Sequence, residues 1–279
     1  MKIAILSGKG GTGKTFVSVN LASIILNSLY VDCDIEEPDG HLFLHPLNLT
    51  ENSVNVKIPH IDNTLCNDCR KCVEFCHFNA LASIQHRITL FKDVCHSCGG
   101  CSLICPMNAI SEVDRKIGCI QRGIAGHIEV LTGMLNPGET SGISIINRLM
   151  EIANQSKRVT IIDCPPGSSC AVMESIKDAD YCLIVAEPTI FGSSNLKMIH
   201  QLVSLLHKKC GIVLNKCLDE DNPSEEYARQ AKIKIVGQIP FDSYLATANS
   251  NGEIAVSKNE KYQKIFTSIY QNILREIKS

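Results

Sequence analysis

The chain is short of three things, and each shortage closes off a class of function. It has almost no charge imbalance: 27 Lys and Arg against 29 Asp and Glu leave a formal net charge of −2. That balance makes no electrostatic case for nucleic acid, whose phosphates are held by clustered cations. It has no long apolar run. Stretches such as Leu21–Leu26 and Cys182–Ala186 fall far short of the roughly 20 residues that cross a bilayer, so a membrane span is not expected. It also lacks a signal-peptide pattern, running straight into a strand-like segment, Lys2–Leu6, and the expected compartment is therefore the cytoplasm.

Cysteine is the opposite case, with fifteen in 279 residues. A reducing compartment disfavours a disulfide framework, so thiols in this number point first to metal. Eight of them lie between Cys66 and Cys105. The other seven (Cys33, Cys119, Cys164, Cys170, Cys182, Cys210 and Cys217) sit mostly in strand-like apolar runs and read as small core residues.

The eight form a ladder. Cys66, Cys69, Cys72 and Cys76 recur 29 residues later as Cys95, Cys98, Cys101 and Cys105, and Asn79-Ala80-Leu81 is echoed by Asn108-Ala109-Ile110 at the same offset. A repeat this close indicates two copies of one supersecondary unit. Each copy has the spacing C-x2-C-x2-C-x3-C, the run that holds [4Fe-4S] clusters in bacterial ferredoxins, where the fourth cysteine ligates the other cluster. Cys66, Cys69, Cys72 and Cys105 are therefore assigned to one cluster, and Cys95, Cys98, Cys101 and Cys76 to the other. Zinc also uses C-x2-C pairs, but it would need four thiolates rather than eight in this duplicated order. Cys105 is followed by Pro106, as the ferredoxin run expects, whereas Cys76 is followed by His77, a change expected to alter hydrogen bonding around one cluster without threatening ligation.

Outside the ladder, strand-like segments alternate with helical ones. Strands are expected at Ile3–Leu6, Tyr30–Asp32, Ile128–Leu131, Val159–Ile162, Tyr181–Ala186, Gly211–Leu214 and Ile235–Ile239, and helices at Thr15–Leu26, Ser144–Gln155, Cys170–Ile176, Asn195–Lys208 and Ser224–Ala231. This rhythm predicts an α/β fold with a mainly parallel sheet covered by helices on both faces. The ladder interrupts it, and the pattern resumes afterwards, so the expectation is a discontinuous domain over 1–58 and 114–279 with a small α+β ferredoxin-like module inserted at 59–113. The last segment, 260–279, places Tyr262, Ile265, Phe266, Ile269, Tyr270, Ile273, Leu274 and Ile277 on one helical face. Its polar face mixes acids and bases, so packing on the domain is expected rather than a membrane surface.

The first strand leads into Gly8-Lys9-Gly10-Gly11-Thr12-Gly13-Lys14-Thr15, which satisfies G-x-x-x-x-G-K-[ST] between a strand and a helix. The glycines let backbone N–H groups face the phosphates of ATP or ADP. Lys14 is expected on the β- and γ-phosphates and the Thr15 hydroxyl on Mg²⁺.

The string from Lys9 to Thr15 resembles the deviant Walker A of the MinD/ParA/Mrp ATPases and of the nitrogenase iron protein. That resemblance implies that Lys9 reaches across a nucleotide-dependent dimer, either of two copies or of this chain with a paralogue. Val31-Asp32-Cys33-Asp34 resembles the family's switch I, which implies that Asp34 positions the attacking water. Ile161-Ile162-Asp163-Cys164-Pro165-Pro166-Gly167 resembles its Walker B and switch II and implies Asp163 near Mg²⁺. Asn215 resembles the adenine-contacting residue, and Ile239-Pro240-Phe241 the segment flanking the base. Together these features resemble MinD-superfamily ATPases with an inserted ferredoxin domain. In the iron protein one cluster bridges two subunits; Cys170 matches one of its cysteines, but Leu135–Gly142 offers Ser141 and no cysteine, so no bridging cluster is expected.

Three functions compete. The leading one is an ATPase that couples nucleotide state to electron transfer toward a redox or metallocofactor partner. The second is an iron–sulfur carrier of the Mrp type, although Cys210 and Cys217 do not form the C-x-x-C pair of such carriers. The third is a MinD-like positioning ATPase, which needs a membrane-binding tail.

Overall fold

The computed structural model describes residues 1–218 and 222–278. The chain runs β1 (Lys2–Leu6), α1 (Lys14–Ile24), β2 (Ser28–Asp32), α2 (Gly40–Leu44) and β3 (Leu47–Ile61). Next come α3 (Lys71–Phe75), the hairpin β4 (Leu81–Ile84) and β5 (Arg87–Leu90), α4 (Gly100–Leu103), β6 (Ile110–Ala125) and β7 (Ile128–Leu135). The alternation then resumes with α5 (Ile143–Gln155), β8 (Val159–Asp163), α6 (Cys170–Ile176), β9 (Tyr181–Ala186), α7 (Ile190–Leu205) and β10 (Cys210–Cys217). It closes with α8 (Pro223–Gln230), β11 (Ile235–Pro240), α9 (Ser243–Ser250), α10 (Ala255–Lys258) and α11 (Glu260–Lys278).

Among the described residues nine strands make one sheet in the order β11-β10-β9-β1-β8-β2-β7-β6-β3. From β11 to β7 every neighbouring pair is parallel. β6 and β7 are joined by the two residues Gly126 and His127, with Gly126 in the left-handed region at φ 59, the geometry of a hairpin. The expected mainly parallel α/β sheet is therefore present, with a mixed edge.

The chain divides into two compact units: 1–51, 120–134 and 145–279 in one, 52–119 and 135–144 in the other. Pro59 and Asp114, expected as module edges, lie inside β3 and β6. Neither of these long strands was expected from the sequence. β3 does alternate, through Leu47 and Leu49 and again through Val54, Val56 and Ile58, but Asn48, Asn52, Asn55 and Pro59, residue types that strands disfavour, interrupt the signal. The first seven residues of β6, mostly exposed, carry no alternation,. α7 begins at Ile190 rather than at Asn195, because the Thr189 hydroxyl caps it by accepting from Gly192 N at 2.8 Å,.

In the larger unit, β1 is buried on both faces. Ile3 and Ile5 join the core formed with Phe16, Val17 and Leu21 of α1. Tyr262, Phe266, Ile269 and Ile273 of α11 enter the same core, and Phe16 meets Phe266 edge to face at 6.1 Å between centroids. Full burial of a side chain such as Phe266 stabilises by about 2 kcal/mol. The helix expected at 260–279 is thus present through Lys278 (Ser279 lies outside the described residues), and its apolar stripe is packed in the core. No helix among the described residues is long and apolar enough to cross a membrane. The smaller unit has its own core of Cys72, Leu81, Ile88, Cys101 and Ile110.

Candidate nucleotide site and cysteine hollows

β1, β8 and β2 are adjacent, and their register puts Ile5 beside Asp163 and Asp163 beside Asp32. The loops leaving their carboxyl ends therefore converge, at the edge where open α/β sheets place their ligands. The glycine loop 8–13 is set by backbone demands. Gly11 and Gly13 are left-handed at φ 77 and 89, which glycine adopts without strain. A Cβ at Gly13 would collide with the Asn215 side-chain amide, which donates to the Thr12 carbonyl at 2.7 Å. Asn215 thus braces the loop from β10. The Thr12 hydroxyl is buried and has no hydrogen-bond partner among the described residues; an orphaned donor in this loop fits a phosphate-binding role.

Lys14 opens α1 and points into the carboxylates. Its Nζ donates to Asp163 Oδ1 at 2.6 Å and lies 3.6 Å from Asp34 Oδ2. Burial alone would lower its pKa, but Asp163, Asp34 and Asp32 more than offset that and the net shift is upward. The other Asp163 oxygen accepts the Tyr30 hydroxyl at 2.8 Å. Asp32 is wholly buried and serves the following loop: its oxygens accept Asp34 N at 3.1 Å and Gly40 N at 3.0 Å. Burial raises its pKa, and the neighbouring Asp163 raises it further. Asp34 is pushed up to about 6, chiefly by burial, against the opposing pull of Lys14. Thr15 lies in the first turn of α1, half-buried.

Lys9 turns inward within its own chain, 2.8 Å from Glu187 Oε2. Pro240 ends β11 in register with Cys217. Lys14, Asp34 and Asp163 are thus brought together around one amine, and Asn215 joins them through the loop. Tyr30, Glu187 and Lys216 were missed from the sequence. Tyr30 carries no signal there, being an ordinary strand tyrosine. Glu187 had one: like Asp163, it is an acid closing a wholly apolar strand.

The smaller unit arranges the ladder in two hollows. One is lined by Cys66, Cys69, Cys72 and Cys105, with Asn67, Arg70, Lys71, Pro106 and Met107 among the others. The second is lined by Cys76, Cys95, Cys98 and Cys101, with His77, Phe78 and His96. Each takes three cysteines from one copy and the fourth from the other. The copies match in backbone detail. Asp68 and Ser97, Arg70 and Gly99, and Asn79 and Asn108 are all left-handed. Ala80 N donates to Cys76 Sγ and Ala109 N to Cys105 Sγ, each at 3.3 Å. The copies also exchange ends: Phe91 N donates to Ala80 O and Asp62 N to Ala109 O, both at 2.8 Å. Among the described residues no three His, Cys, Asp or Glu side chains converge closely enough for a single metal ion. Phe78 and His96 stack at 3.6 Å between centroids.

A glycine loop, its lysine and two aspartates around one amine, Asp163 at the end of β8 and Asp34 just beyond β2, define a P-loop nucleotide-binding protein. The chain belongs to the CobQ/CobB/MinD/ParA nucleotide-binding family, whose domain matches residues 3–136. It is 31% identical over 277 residues to the protein MJ0578 of Methanocaldococcus jannaschii, covering 95% of this chain and 96% of that one. Its fold is similar to that of the cell division ATPase MinD of Pyrococcus furiosus, with a TM-score of 0.63, 20% identity and 98% of both chains covered. MinD of Pyrococcus horikoshii, solved with Mg-ADP, has a TM-score of 0.59 and 17% identity, with 96% of this chain and 93% of that one covered.

Proposed function

We propose that this chain binds and hydrolyses Mg-ATP and couples its nucleotide state to electron transfer, through two [4Fe-4S] clusters, toward a redox or metallocofactor protein. The sorting of the eight ladder cysteines into two hollows carries this reading. Three cysteines of one copy with the fourth of the other is the division a two-cluster ferredoxin uses. Cys66, Cys69, Cys72 and Cys105 would hold one cluster, and Cys95, Cys98, Cys101 and Cys76 the other. The N–H groups of Ala80 and Ala109 point at Sγ of Cys76 and Cys105, the kind of hydrogen bond to a ligating sulfur that tunes a bound cluster. Bound clusters of this type supply one-electron transfer.

In the nucleotide site, Lys14 meets the β- and γ-phosphates, Thr15 and Asp163 hold Mg²⁺, and Asp34 orients the attacking water. Asn215 keeps the loop in place, and Asn215 with Pro240 flanks the base. The partner in the nucleotide-bound state would be a second copy or a paralogue, with Lys9 swinging out to it.

A second reading, a MinD-like positioning ATPase, is supported by the likeness to cell-division MinD, and at the level of fold it has the better support. Against it stands α11, whose apolar face is spent on the core. Redox titration of reconstituted protein with and without ATP separates the two. A nucleotide-dependent change in cluster potential or in electron delivery supports coupling. ATP-dependent sedimentation with anionic vesicles and indifferent clusters would favour positioning instead, and ATP-dependent release of cluster to an apo-acceptor would favour an Mrp-type carrier.

A further inference from the structure

Glu187 closes β9 and holds two lysines at once. Its Oε2 is 2.8 Å from Lys9 Nζ and its Oε1 2.7 Å from Lys216 Nζ. Lys216 also donates to the Gly11 carbonyl at 2.8 Å, and the Lys9 amine sits 5.3 Å from the centroid of the Phe191 ring. The Glu187 side chain is 11% exposed, that of Lys9 35% and that of Lys216 41%. Burial would push the Glu187 carboxyl up, but Lys216 and Lys9 more than offset this and hold it below its ordinary value.

One carboxylate needs one cation, and this one has two. If Lys9 leaves, Glu187 stays paired with Lys216, so no buried charge is stranded, and stranding is what makes breaking a buried pair costly. The pair is therefore built to open on the Lys9 side. A triphosphate carries more negative charge than a diphosphate and competes better for the ammonium.

We propose that Glu187 is a positioning residue that holds Lys9 back in the nucleotide-free chain and yields it to a nucleoside triphosphate, with Lys216 as the counter-ion that remains. The latch rests on the nucleotide site proposed above. It adds discrimination: the work of opening it is recovered with ATP and not with ADP.

The test compares Mg-dependent binding of a fluorescent ADP and of a non-hydrolysable ATP analogue. Glu187→Gln preserves shape and removes the latch, so affinity for the analogue is expected to rise about threefold while ADP is nearly unchanged. Glu187→Asp, which keeps the charge, is expected to keep the wild-type ratio. Lys216→Met should act in the opposite direction, because Lys9 becomes the remaining counter-ion. In a Lys9→Ala background both effects should vanish, the signature of a coupled pair. An unchanged ATP-to-ADP ratio in Glu187→Gln, or a gain that persists without Lys9, overturns the latch alone. Wild-type protein that binds neither nucleotide overturns the site assignment and the latch with it.

Discussion

Lys14 donates to Asp163 across 149 positions of sequence, with Nζ 2.6 Å from Oδ1 and both side chains buried. The pair joins the glycine loop to the end of β8. It also leaves the second Asp163 oxygen to Tyr30, so the carboxylate is aimed before any nucleotide arrives.

Removing the cation should therefore be expensive. Lys14→Ala leaves Asp163 buried beside Asp32 and Asp34 with the Tyr30 hydroxyl as its remaining donor, a change expected to cost about 3–5 kcal/mol. Urea unfolding measures this, and Mg-ADP binding should be lost as well. A loss well under 1 kcal/mol would refute the pair as a stabilising contact.

Asp34 carries a pH signature. Burial lifts its pKa from 3.8 to about 6, with Lys14 opposing and Asp163 and Asp39 adding to the rise. A raised carboxyl pKa means that the folded state binds more protons than the unfolded state across this window, so its contribution to stability falls as pH rises from about 4 to about 6. The thermal midpoint of Asp34→Asn should accordingly gain on wild type between pH 4.5 and pH 7.5, without nucleotide or Mg²⁺. Parallel curves for the two proteins would refute the shift.

The glycines of the loop are not equivalent. Gly13→Ala forces a left-handed residue against Asn215, and the backbone alone costs about 1–2 kcal/mol. Nucleotide binding should disappear in the same variant. A Cβ added at Gly10 would meet nothing within 4 Å, so Gly10→Ala should leave stability within about 0.5 kcal/mol. Denaturant midpoints of the two variants check the contrast.

The crossed cysteines can be tested by pairs. Cys69→Ser with Cys105→Ser strikes one hollow twice and should leave about four iron atoms per chain after reconstitution. Cys69→Ser with Cys76→Ser strikes both hollows and should depress both clusters. Iron and acid-labile sulfide assays read the result, and the reverse pattern would mean that each copy ligates its own cluster.

Local motifs were legible because contiguous residues set their own backbone. The string from Gly8 to Thr15 specifies its turn through glycines that adopt left-handed φ, and the cysteine spacing fixes two matching loops at a 29-residue offset. The apolar strands β1, β8 and β9 announced themselves in the same way. β3 and β6 did not, because Asn48, Asn52, Asn55 and Pro59 interrupt the alternation of β3 and the exposed half of β6 carries none,.

Tyr30 on Asp163, Glu187 between Lys9 and Lys216, and Asn215 beneath Thr12 could not be read locally. Their partners lie 133, 178 and 203 positions away in the first, second and third cases, counting Glu187 to Lys9 (187 − 9) for the second. Sequence alone therefore determined the chemistry available to this protein: a phosphate loop, strand-end acids and a duplicated set of thiols. The tertiary structure decided which groups meet. The order β10-β9-β1-β8-β2 is a property of the assembled sheet, and it brings distant strand ends to one edge because each strand must bury both its faces beside a particular neighbour.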